Sequence, residues 1–420
     1  MMAGRLSDST SRPPSTSRVT EALPSTTSGL SSANVAAMSA TQFAGLTTTQ
    51  VAALTTDIVA ALANDKVIAL TTAQAAVLSS AQVQALTTSQ TGVLELADVA
   101  AILPAALSSL STAAIALLSE DQLRSLGTAQ VASLSTAQIR ALTSVQAQAI
   151  TTTQLAALTS TQSSAISTTD VQALYNYQLR VLNTGAVAAL TTAQIAALTG
   201  EQVIALTTDQ MAALQSSQVA GFETADLALL KTAQLAALST AQMVGLTTAQ
   251  VASLTVAQLG SLSTTQVAGL STAQINALTS SQAGGLTTTQ VAALSSGQAA
   301  AISTTDLQAL SAAQLVKLAT AGLTSAQVVA LTTEQAAALT TAQINALSLT
   351  QVKALETTDL AALQTSQLLA LTTANVAGIT TTQWAGLTST QVGALSTAQV
   401  AAITLPQIGQ LSTLQSSALT

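Results

Sequence analysis

The side chains in this sequence that could do chemistry are mostly amides and hydroxyls. Ser or Thr followed three residues later by Gln, Asp or Asn recurs along nearly the whole chain, as at Thr247 and Gln250. At that spacing a hydroxyl and an amide can each satisfy an otherwise unpaired N–H at a helix start, so the first use of the pattern is capping. The carboxylates Glu120, Asp121 and Asp57, and Asp65 beside Lys66, are the nearest approach to an acid/base cluster. All of them fall in the same helix-start register, where a negative charge complements the helix dipole, and a solvated cap is the expected role. Tyr175 and Tyr177 differ: they flank Asn176 in an irregular stretch, at positions that should point outward, and they are the candidate contact residues.

Other chemistry is excluded by what is missing. The sequence contains neither His nor Cys, which removes the commonest general base and metal ligand, the thiolate nucleophile and any disulfide framework. No Gly-rich phosphate loop, nucleophile elbow or calcium loop is present. No catalytic, cofactor or metal residue is expected, and the chain reads as a non-enzyme. Seventeen acidic against ten basic residues give a net charge of −7, an unsuitable surface for nucleic acid.

The elements that position these side chains come from one octapeptide, clearest at residues 246–253, Leu-Thr-Thr-Ala-Gln-Val-Ala-Ser. With its Leu as position one, the anchor returns every eight residues from Leu30 to Leu318 as Leu, Ile, Met or Phe, slips to Leu323, and resumes through Leu331 to Leu419. Eight residues overshoot two helical turns by about 80°, so a continuous helix would wind its apolar stripe around the axis. Short helices that restart in every repeat avoid this. Position two is then the N-cap and position five the third helical residue, while positions one and six close a hydrophobic staple.

The rest of the sequence agrees with that phase. Pro104 and Pro406 fall in the first helical turn, where no donor is lost. Acidic residues from Asp57 to Asp359 lie at positions two to five, and Arg124, Arg140, Arg180, Lys317 and Lys353 at seven or eight, with Lys66 and Lys231 as exceptions. Gly45, Gly221, Gly245 and Gly269 sit at seven or eight, where a helix stops. The expected fold is an all-α solenoid of very short capped helices. A β-solenoid is the alternative, but positions one and six have opposite parity, and Leu, Ala and Gln do not favour strands. Phe43, Phe222 and Trp384 are expected as larger core fillers. Residues 102–110, 175–189 and 318–323 are where the octapeptide breaks.

Residues 1–29, rich in Ser, Thr, Pro and Arg, read as a disordered arm, and 30–420 as the array with its phase slip at 318–323. No apolar run approaches the ~20 residues of a membrane span, and the N-terminus lacks the apolar core of a secretory signal. The array ends without a polar capping repeat, so it either continues in a longer protein or stacks end on end.

The Leu-Thr-Thr-Ala-Gln-Val-Ala pattern resembles the octapeptide tracts of large proteobacterial secreted or surface proteins labelled as adhesion or haem-utilisation proteins. The resemblance covers about nine tenths of the chain and implies an extracellular or cell-surface setting. It points to an elongated spacer, stalk or self-associating scaffold, whose partner is a further copy or another protein. For haem the sequence offers no His or Cys ligand, only a few Tyr and Met. The competing function is a binding module whose ranked Thr and Ser face ice, a glycan or another repeat array.

Overall fold

A computed structural model describes residues 30–419, so the N-terminal arm lies outside the described residues. The chain divides into two compact bodies, Met1–Leu118 and Ser119–Thr420. Each is an all-α solenoid. Among the described residues there are 48 α-helices of four to six residues and no strand. None is long and apolar enough to cross a membrane.

The helix at Thr248–Ser253 shows how one octapeptide folds. Thr247 is the N-cap in extended conformation (φ −71°, ψ 160°), and Leu254 is the C-cap, extended again (φ −62°, ψ 140°). The Leu that ends one helix therefore precedes the cap of the next, and no separate loop is needed. The Thr247 hydroxyl accepts from Gln250 N at 3.1 Å, while Gln250 Oε1 accepts from Thr247 N at 2.8 Å, which completes a capping box. Helices this short do not nucleate alone, so their stability must come from packing and from bonds to other turns.

Packing runs from each helix to the one three repeats along. In the first body Thr56–Ala60 packs on Ser80–Ala85, and in the second Ser280–Gly284 packs on Thr304–Ala309. Leu at position one and the aliphatic at position six are buried repeat after repeat, as in Leu246, Val251, Leu254 and Leu259. Phe43, Phe222 and Trp384 lie in this core as expected. Pro104 and Pro406 stand in the first turn of their helices.

The glycines at positions seven and eight sit at helix ends, as expected, with Gly45 and Gly285 as C-caps in the ordinary right-handed region. No described glycine has a positive φ, so none serves as a left-handed helix stop. Several of them also provide room for a neighbouring turn. Position three of one repeat meets position eight twenty-nine residues later, and the two compensate in size. Leu349 faces Gly378, where a Cβ would fall 1.9 Å from Leu349 Cδ1, and in mirror image Gly200 faces Leu229.

The slip at 318–323 is a five-residue repeat. A 3₁₀ turn, Thr320–Gly322, replaces the α-helix, and Thr320 takes the buried place of position six between Leu318 and Leu323. Positions two to four, with the cap and the first turn, are missing.

Candidate functional site

The motif residue with the most apparent binding potential, the Gln at position five, is turned inward. Gln250 is 2% exposed. Its Oε1 serves the capping box, and its Nε2 donates to Val219 O at 3.3 Å, Ala220 O at 3.1 Å and Phe222 O at 2.7 Å. These carbonyls close a helix one turn back, where helix ends leave acceptors to be satisfied; Val219 O also accepts from Phe222 N at 3.3 Å. Gln258 repeats the arrangement on Leu227, Ala228 and Leu230, and Gln82 does so on Val51, Ala52 and Leu54 in the first body. Each Gln thus ties its own helix start to the helix end 28 to 31 residues earlier, so that one turn takes between three and four repeats. The capping half of this arrangement is readable in the octapeptide. The cross-turn half has no local signal, because 28 and 31 are not multiples of eight.

One irregular repeat keeps this ladder by other means. Where Ala186 replaces the Gln, Asn183 at position two does both jobs: its Oδ1 accepts from Ala186 N at 2.8 Å, and its Nδ2 donates to Ala156 O and Leu158 O at 3.3 and 3.2 Å.

With the amides occupied, the outer surface carries Thr, Ser and Ala at positions two to four, a few ions, and scattered large apolar side chains such as Leu103, Leu117 and Val145. Arg124 pairs with Glu120 at 2.8 Å and with Asp121 at 3.0 Å; all three are well exposed, and the hydrogen bond to Glu120 is the main reason that the guanidinium pKa rises. Asp65 lies 3.9 Å from Lys66. The exposed pairs of Arg124 contribute little to stability; Lys66, by contrast, is 6% exposed and occupies the buried position five, with only Asp65 in solvent.

Tyr175 and Tyr177 lie on the surface of the second body, 48% and 57% exposed. Their rings stack with centroids 5.5 Å apart and planes 13° from parallel. Tyr175 is the N-cap of Asn176–Arg180 and gives no side-chain cap. Gln178 still accepts from Tyr175 N at 2.8 Å and donates to Ile150 O at 2.8 Å. The backbone is therefore held without a hydroxyl, which releases position two to carry a ring.

Aspartate replaces Gln at position five in five repeats, in two settings. Asp170 and Asp306 are each held by two hydroxyls: Ser167 donates to Asp170 Oδ2 at 2.6 Å and Ser144 to Oδ1 at 2.8 Å, with Ser303 and Ser280 repeating this on Asp306 at 2.6 and 2.7 Å. Asp98, Asp226 and Asp359 instead follow a Glu at the N-cap, which makes no side-chain cap bond. Burial first and the neighbouring Glu95 second push the Asp98 pKa up to about 6. Asp226 and Asp359 are raised likewise, by burial and then, for Asp226, by Glu223; at Asp359 Glu356 adds to the rise and a bond from Thr333 opposes it.

A family model described as the ALTTAQ repeat matches residues 28–56, 121–160, 164–200, 176–208, 219–256, 256–288, 321–349 and 352–389, together more than half of the chain. No curated protein matches it.

Proposed function

The chain belongs to the ALTTAQ repeat family, and from that premise we propose that it is a non-enzymatic structural repeat protein, a spacer, stalk or self-associating scaffold of a bacterial surface or secreted adhesin-like protein. One observation carries this reading: the most regular polar group of the motif, the Gln amide, is buried and fully engaged in joining turns, as Gln250 shows. A motif whose regular amide maintains the array is suited to length and stiffness rather than to recognition.

A second reading, a surface that contacts a glycan or another repeat array, is favoured by the stacked Tyr175–Tyr177 pair among exposed hydroxyls. A helical array does not offer the flat β face on which ranked Thr would meet ice.

The two readings separate in one assay. With the chain displayed on bacterial cells, the scaffold reading expects cell–cell aggregation that rises with display density and is unchanged in Y175S/Y177A. Saturable binding to immobilised glycans that this double variant abolishes would overturn it in favour of the second.

A further inference from the structure

We propose that the three Glu-x-x-Asp repeats, Glu95/Asp98, Glu223/Asp226 and Glu356/Asp359, are acid-sensitive junctions in which the aspartate takes up a proton and, as a carboxylic acid, donates the cross-turn hydrogen bond that Gln donates elsewhere.

The argument starts from the ladder. A Gln at position five donates to carbonyls 31 and 28 residues earlier, as Gln242 does to Met211 and Leu214. At that register Asp98 corresponds to Val67 and Leu70, Asp226 to Ile195 and Leu198, and Asp359 to Val328 and Leu331. An ionised carboxylate has no proton to offer a carbonyl; the neutral acid has one. Asp98 and Asp359 are each 2% exposed, and in both Oδ2 is buried without a hydrogen-bond partner. A buried carboxylate oxygen in that condition is costly as an anion and is relieved by becoming an O–H donor.

The hydroxyl-bound aspartates show what is different. Asp170 and Asp306 receive two hydroxyl donors each, which stabilise the anion. In the Glu repeats the position-two donor is replaced by a second carboxylate. The other hydroxyl, twenty-six residues before the aspartate, survives only in part: Thr333 donates to Asp359 Oδ1 at 3.0 Å, whereas Gly200 stands at that place before Asp226. Every Glu at position two in the array is followed by Asp at position five, while Tyr, Lys and Gln at position two stand before Gln, and Ser stands before Asp only at Asp170 and Asp306.

The helices packed on these aspartates bring acidic side chains or none. The helix Thr72–Ala75, packed on the Asp98 helix, carries no ionisable side chain. Facing Asp226, Gly200–Ala205 brings Glu201, and Thr248–Ser253 brings none. Facing Asp359, Thr333–Ala338 brings Glu334, and Thr381–Gly386 brings none. Lys353 lies with Glu356 along one open surface groove and is the cation nearest this junction in sequence. All three aspartates are shifted upward, by burial first and with the Glu at position two adding to it, Asp98 to about 6. A pKa higher in the folded than in the unfolded chain means that the fold gains stability as pH falls through the folded value toward the ordinary carboxylate range, and loses it as pH rises.

The test is thermal unfolding of the full chain at about pH 5 and about pH 7.5. The unmodified protein should melt higher at the acidic pH. The triple variant D98Q/D226Q/D359Q should melt at the higher temperature at both pH values. The control D170Q/D306Q, which also removes buried aspartates, should keep the original pH dependence. Retention of that dependence by the triple variant, or its equal loss in the control, would overturn the proposal. So would a rise in melting temperature on adding calcium at the higher pH in the unmodified chain alone, because the junction would then take a cation rather than a proton. A carbon-13 titration of aspartate carboxyls in the unmodified protein needs no variant: a midpoint near 6 for Asp98 supports the proposal, and ordinary midpoints for Asp98, Asp226 and Asp359 refute it.

Discussion

Repeats such as 246–253 and the five-residue repeat at 318–322 lie in the same body and differ in what they can do without. The regular repeat has a capping box, an α-helical turn and a Gln tied one turn back. The short one has no cap and only a 3₁₀ turn, yet its Thr320 and Leu323 carbonyls still accept from Gln351 at 3.2 and 2.7 Å. The three Gln residues that reach across the deletion, Gln327, Gln335 and Gln343, span 28 and 25 residues instead of 31 and 28, with distances of 2.7 to 3.0 Å. Three residues are removed and the turn-to-turn bonds remain. What defines the array is therefore the ladder with the position-one and position-six core, while cap and first turn are local supports that one repeat can lose.

The largest expected effect tests that ranking. Gln258→Met keeps the shape but removes the acceptor for Thr255 N and the donors to Leu227 O and Leu230 O. Leu227 O keeps its bond from Leu230 N, but Thr255 N and Leu230 O are left unpaired at about 1–3 kcal/mol each, so a loss of about 2–6 kcal/mol is expected in urea unfolding. Gln351→Met, which strips the donor from the short repeat, should cost as much. A much smaller loss there would mean that the short repeat is held by packing alone, and the comparison would fail.

The next effect concerns packing across the same turns. In the regular repeats, bulk at position three is matched by glycine at position eight, as in Leu349 and Gly378, and the short repeat uses the same contact at Gly322, where a Cβ would lie 2.5 Å from Ser296 O. Gly322→Ala meets rigid backbone and should destabilise by about 1–3 kcal/mol. Gly378→Ala meets the tip of a side chain and should cost less. The double variant L349G/G378L, which copies the arrangement of Gly200 and Leu229, should recover most of that loss. Failure to recover would show that the pairing follows from the repeat rather than fixing its register.

How much of this was readable beforehand depends on the distance between cause and effect. Everything local was legible: the Thr247 cap, the Gln250 box, Pro104 in a first turn, and the burial of Trp384. The exposure of Tyr175 and Tyr177 followed from the same phase, but their stacking did not. The second role of the Gln was hidden because its partners lie at separations unrelated to the period. Asn183 could have been noticed as an amide moved to position two when Ala186 took position five, though its purpose shows only with the carbonyls of Ala156 and Leu158 in place. The place of the glycines at helix ends was legible, as Gly45 and Gly285 show, but not the room that several give a neighbouring turn, because helix ends and close contacts fall on the same positions.

The smallest effect separates a missing cap from a place where no cap can form. Ala63 is an N-cap in extended conformation (φ −71°, ψ 150°) ahead of the helix Asn64–Ile68, with no side-chain bond. Lys66 N already donates to Ala63 O at 3.0 Å. The same bond exists at Thr71 and Gln74, where the hydroxyl accepts from the same N–H at 3.3 Å, so the two are compatible. Ala63→Ser should gain about 1 kcal/mol. Ala319 precedes the 3₁₀ turn with ψ 79°, outside the extended conformation of a cap. Ala319→Ser should shift stability by less than ~0.5 kcal/mol. Differential scanning calorimetry of the two single variants checks both values; an equal gain at Ala319 would mean that the short repeat has a first turn after all, and that cap and ladder are not separable.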